Sequence, residues 1–157
     1  MTPDLRQELY EATVGLQQRP ASVPLLLRTS WRVPIVPLLI GGCRQSRAKR
    51  EQLVVLNWAI RDPRTYAALS AWLGGETVGQ PTSVRYEPAL VRATNIAHGL
   101  GLIARESGWM TLTSKALELV DQIEESESYM HERGLLDALP KPIPFNAAEA
   151  LLGGALR

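Results

Sequence analysis

The stretch from Tyr86 to Leu119 constrains this chain most, because its element ends fall on residues with fixed backbone habits. Pro88 suits a first helical position, where its missing N–H would have no partner anyway. His98-Gly99 reads as the close of that helix, since glycine enters the left-handed conformation without steric cost. Leu100, Leu102 and Ile103 then give a short apolar strand, Glu106-Ser107-Gly108 a turn, and Trp109 to Leu112 the returning strand. Thr113 can cap a following helix through its hydroxyl, and that helix puts Ala116, Leu119, Val120 and Ile123 on one face. The order is helix, hairpin, helix.

Upstream, Thr2-Pro3-Asp4 opens an amphipathic helix with Leu5, Leu9, Ala12 and Leu16 on one side, ending near Gln18. Residues 20–43 are strongly apolar, and Val33 to Ile40 reads either as a short helix starting at a proline or as a buried extended segment. Arg28, Arg32, Pro34 and Pro37 argue against a membrane span there, so the run needs cover from another element or another chain. Ser46 reads as the cap of a helix reaching Arg61, and Asp62-Pro63 as the start of a shorter one to Leu73. The glycine-rich loop from Gly74 to Pro81 lacks a phosphate-loop lysine and takes no nucleotide role. Downstream, Glu124, Glu125 and Glu127 have the wrong sign for a helix C-terminus, so the helix from Thr113 is expected to continue through Tyr129, Met130 and Glu132 to Gly134. The prolines of Leu139 to Phe145 keep that segment extended, and Ala147 to Leu152 add a final helical turn or two.

These readings give a mainly α fold with a small β-hairpin, an α+β arrangement. A winged helix-turn-helix core over residues 44–127 is flanked by an N-terminal helical arm and apolar segment (1–43) and a C-terminal helical, proline-rich extension (128–157). At 45% hydrophobic and 21% charged, the chain has the balance of a folded soluble protein. The single cysteine, Cys43, excludes an internal disulfide framework and reads as a small buried hydrophobe in a reducing compartment. With no secretory signal in the polar N-terminus, the expected location is cytoplasmic. His98, His131 and Cys43 have no spacing that builds a metal site, and no serine sits in a nucleophile-elbow pattern. A non-enzymatic protein without a cofactor or small-molecule substrate is expected.

Charge is segregated along the chain. Residues 44–105 hold nine Lys/Arg against four Asp/Glu, a balance of +5, whereas residues 106–139 hold two against eight, a balance of −6. Such asymmetry offers one face to an anionic partner and another to a basic one, or a pair of solvated faces that attract each other. Arg44, Arg47, Lys49 and Arg50 cluster just before and within the expected first turn of a helix, where cations oppose the helix dipole unless an anion is near. Phosphate would serve, as would Glu51 or Asp62. On the helix from Pro88, Leu90, Ala93, Thr94 and Ala97 face inward and Arg92 and Asn95 outward, with Arg85 ahead of the helix and Arg105 in the wing. Arginine and asparagine are the residue types that read guanine and adenine edges. These eight residues, from Arg44 to Arg105, form the candidate nucleic-acid-binding set.

Leu100-Gly-Leu-Ile103, Gly108-Trp-Met and Leu112-Thr-Ser-Lys-Ala116 resemble the wing-to-helix signature of winged-helix proteins, with Ala116 in place of the usual glycine. Together with the apolar Leu25–Leu27 segment and Tyr86-Glu-Pro88, residues 20–125 resemble the winged-helix middle component of bacterial three-component ABC ATPase defence systems of the Lamassu kind. The resemblance implies an accessory subunit that sits on a large SMC-like coiled-coil ATPase, links it to an effector and helps it engage DNA. Under that reading Leu25, Leu26, Trp31, Ile35 and Leu38 form a partner interface or a helical extension over the core. The alternative is a stand-alone dimeric winged-helix transcription regulator with the helix from Pro88 in a major groove.

Overall fold

The computed structural model describes residues 28–77, 81 and 84–153. The expected N-terminal amphipathic helix, Leu25 and Leu26 lie outside the described residues. The described elements run α1 (Thr29–Gly41), β1 (Arg47–Lys49), α2 (Arg50–Ala59), α3 (Pro63–Leu73), α4 (Pro88–Gly99), β2 (Ile103–Glu106), β3 (Trp109–Leu112), α5 (Ser114–Glu124), α6 (Met130–Asp137) and α7 (Phe145–Gly153). They make a mainly helical α+β arrangement with one small antiparallel sheet in the order β1-β3-β2.

The described part of the apolar run that needed cover forms α1, and other elements of the chain cover it. Pro34 and Pro37 lie inside the helix, where each removes one backbone hydrogen bond and crowds the preceding turn, a cost of about 3 kcal/mol in an ordinary helix interior. Burial offsets that cost, because Val33, Ile35, Val36, Leu38, Leu39 and Ile40 are all buried. A helix apolar on nearly every side is one that a domain closes around, and α1 packs on α2, α4, α5 and β3. Ile35 and Leu38, expected at a partner interface, are therefore core residues, 2% and 7% exposed. Trp31 is half-buried, its ring 5.9 Å from that of Tyr129, whose hydroxyl donates to the Trp31 carbonyl at 3.0 Å. The expected boundary at residue 43 is no packing boundary either. One core cluster joins α1, the middle of the chain and Ile143, Ala148, Leu151 and Leu152 of the C-terminal segment.

Two local expectations change. Residues 44–49 are not the start of a helix: a short 3-10 turn over Arg44–Ser46 leads into β1, and α2 begins only at Arg50. Positive φ at Gln45 (60°) and Ser46 (48°) turns the chain there, and Ala48 is then buried against β3 in register with Met110. The Gln52 side chain fixes the start of α2. Its Oε1 accepts from the Lys49 backbone N–H at 2.8 Å and its Nε2 donates to the Ile143 carbonyl at 2.8 Å. The helix from Thr113 also stops early, at Glu124, instead of running to Gly134. Arg133 from α6 donates to the Ile123 carbonyl at 3.0 Å, so a cation from the next helix answers the sign problem at the end of α5. Tyr129, at φ 57°, makes the reversal.

The central unit follows its end signals. Asp62 caps α3 by accepting from the Arg64 N–H at 2.7 Å, Pro88 opens α4, and the Thr113 hydroxyl accepts from the Ala116 N–H at 3.3 Å. Ser107 and Gly108, at φ 50° and 78°, close the β2–β3 hairpin. Only the exit from α4 differs: Gly99 stays within the helix and the left-handed glycine is Gly101, at φ 72°. Cys43 is 4% exposed, and burial pushes its thiol up to about 12, so it stays protonated and packs as a hydrophobe. Among the described residues no helix is long and apolar enough to cross a membrane.

Candidate nucleic-acid interface

Alternation along β1 sorts its three side chains. Ala48 points into the core, while Arg47 and Lys49 point out over the aromatic residues that follow them in space. The Arg47 guanidinium lies 4.3 Å from the centre of the Trp109 ring. The Lys49 ammonium sits 5.1 Å from the same ring and 4.1 Å from that of Phe145 at the start of α7. The two rings themselves are 6.4 Å apart. Arg50 stacks in the same manner, 4.6 Å from the ring of Tyr86, which is 45% exposed. Each contact contributes on the order of 0.5–1 kcal/mol and fixes the direction of a long side chain without cancelling its charge.

The second group comes from α4 and the hairpin. Leu90, Ala93, Thr94 and Ala97 are buried as their spacing predicts, and Arg92 and Asn95 are exposed. Arg105 on β2 donates to the Asn95 amide oxygen at 2.8 Å, which fixes both side chains on the same side of the molecule. Arg50, Asn95 and Arg105 line one groove. Arg44 is exposed in the 3-10 turn, and Arg85 and Arg92 are exposed before and on α4, outside that lining. The eight candidate residues thus resolve into an aromatic-backed stripe (Arg47, Lys49, Arg50), a tied pair (Asn95, Arg105) and three outlying arginines.

What holds these cations is not carboxylate. Among the described residues both ion pairs end on Glu87: Arg32 at 2.6 Å and Arg61 at 3.0 Å. Asn57 donates to the same carboxylate at 2.8 Å. Arg32 is 5% exposed on α1, and its Nε is buried without a hydrogen-bond partner. Burial works to raise the Glu87 carboxyl, but the hydrogen bonds from Arg32 and Asn57 and the charges of Arg32 and Arg61 outweigh it and leave the group below its ordinary value. Sequence reasoning missed this knot. Its one signal was an arginine inside an apolar run, which has to find a buried acid if the run becomes a core helix. It missed equally that Trp109, Phe145 and Tyr86 would carry the cations, since those rings come from three separate stretches of chain.

Among the described residues no group of three or more His, Cys, Asp or Glu side chains could hold a metal ion. No protein-family model, no curated protein and no solved structure matches this chain.

Proposed function

We propose that the chain is a non-catalytic winged-helix accessory subunit of an SMC-like ATPase anti-phage defence complex, bridging the ATPase and an effector and engaging the DNA backbone. The observation that carries the DNA-facing part is the stripe of Arg47, Lys49 and Arg50 laid over Trp109, Phe145 and Tyr86. Cations oriented by rings keep their full charge for an external anion, and phosphate oxygens accept such charge-assisted bonds without regard to base sequence. The order of helix, strand, helices and closing hairpin, with β1 paired to β3, supports the winged-helix part. The protein-facing part rests on α5 and α6 instead of α1. Glu118, Asp121 and Glu124 are exposed on α5 beside Leu117, itself 50% exposed, and Met130 follows at 63%. That combination of acid and exposed apolar surface suits a basic partner.

The regulator reading needs base contacts from α4. Asparagine reads adenine with its amide oxygen and nitrogen together, and the Asn95 oxygen already accepts from Arg105. This favours backbone engagement over base reading.

The test has two arms. Co-expression with the neighbouring genes, followed by native mass measurement, is expected to return a stable complex with a large coiled-coil ATPase. Fluorescence anisotropy on unrelated duplexes is expected to give equal affinities that fall with salt, with Arg47→Glu and Lys49→Glu each weakening binding to every sequence alike. A lone homodimer that binds one palindrome at nanomolar concentration and loses it on Arg92→Ala would replace this reading with the regulator.

A further inference from the structure

Between the start of α2, one face of α4 and the β2–β3 hairpin lies a half-open groove of about 250 Å³. Leu53, Val54, Leu90, Val91, Trp109 and Met110 supply its apolar lining. Its one buried hydroxyl, on Thr94, already donates to the Leu90 carbonyl at 2.8 Å, so water against the apolar part of the groove finds few partners. Its charged lining is of one sign: Arg50 and Arg105, with no carboxylate among the lining residues. Both guanidiniums are oriented, Arg50 on the Tyr86 ring and Arg105 by the Asn95 amide. Each of those contacts uses one face or one N–H of a group that offers five donors.

We propose that this groove binds a small organic acid, its flat apolar body against Leu53, Leu90, Met110 and Trp109 and its carboxylate between Arg50 and Arg105. The volume suits a body of one or two fused rings and not a nucleotide with its phosphates. A single anionic head satisfies the one-signed charge, and the planar fork of arginine matches a carboxylate bidentately. The proposal goes beyond the nucleic-acid reading and does not rest on it, because the protein alone is titrated.

The probe is naphthoate, added to the full chain and followed by calorimetry and by the indole N–H resonance of Trp109, assigned through Trp109→Phe. The expected result is saturable one-site binding that shifts this resonance. Naphthalenemethanol, the same body without the charge, is expected to bind about tenfold or more weakly, the difference a charge-assisted pair supplies. Arg50→Gln and Arg105→Gln are each expected to weaken the acid by about tenfold while leaving the alcohol unchanged. Val91→Phe, filling the groove from a half-buried position on α4, is expected to abolish binding of both compounds with the helical circular dichroism intact. Absence of saturation with naphthoate, equal affinity for acid and alcohol, or unchanged affinity in both arginine variants would overturn the proposal.

Discussion

Glu87 shows how much of this fold hangs on single side chains. Its carboxylate, on the residue immediately before α4, receives Arg32, Asn57 and Arg61, three residues from α1, from α2 and from just beyond α2. Removing one partner of a buried pair leaves the other charged and unsolvated, which costs about 3 kcal/mol or more; the Arg61 contact, on a side chain 41% exposed, adds little to that. Glu87→Gln is therefore expected to destabilise the protein by about 3 kcal/mol in denaturant unfolding, chiefly through Arg32. Adding Arg32→Met to Glu87→Gln is expected to recover part of the loss, because no buried charge then remains. The pH dependence follows from the direction of the shift. A carboxyl held below its ordinary value stabilises the fold fully at pH above the unfolded-state value, 4.5, and loses that contribution as pH falls through the folded-state value. The wild type should weaken along this acid limb and Glu87→Gln should lack it. A single mutant as stable as wild type would mean that Arg32 finds another acceptor, and its buried Nε already has none.

At the scale of elements, what was legible was whatever has local end signals. Asp62-Pro63, Pro88, Ser107-Gly108 and Thr113 each mark a boundary through their own backbone or side-chain chemistry, and α3, α4 and the hairpin follow. β1 was not legible because three residues carry no periodicity, and its partner β3 comes from the far half of the chain. The end of α5 was misread for a related reason. The acidic run looked unfit as a C-terminus, and the remedy, Arg133, lies beyond a turn that reverses the chain. That remedy can be measured. Arg133→Ala removes the donor to the Ile123 carbonyl and the cation at the C-terminus of α5, and is expected to cost about 1 kcal/mol in denaturant unfolding. Arg133→Lys, which keeps the charge without the fork, should fall between the two. No loss in Arg133→Ala would mean that the Ser126 hydroxyl, donating to the same carbonyl at 2.9 Å, caps α5 unaided.

Across the whole molecule, the sequence announced the separation of charge but not the position of the core. The part of the apolar run that forms α1 was read as an overhanging partner surface, but α2, α4, α5 and β3 pack on it, so Ile35 and Leu38, assigned to a partner, belong to the core. The basic surface survives that correction, because its cations point outward from β1, α2, α4 and β2. It also shares Arg50 and Arg105 with the groove, which makes the two proposed ligands antagonists. A carboxylate seated between those arginines would remove them from phosphate contact. Each phosphate contact contributes about 0.9 to the slope of log affinity against log salt on duplex DNA, so saturating naphthoate should reduce that slope by about 2 as well as weaken binding. Arg47→Glu in the same assay should lower affinity and leave the naphthoate effect in place, since Arg47 lies on Trp109 outside the groove lining. An unchanged slope, with both ligands bound, would instead route the DNA backbone over the cations outside the groove, Arg44, Arg47, Lys49, Arg85 and Arg92.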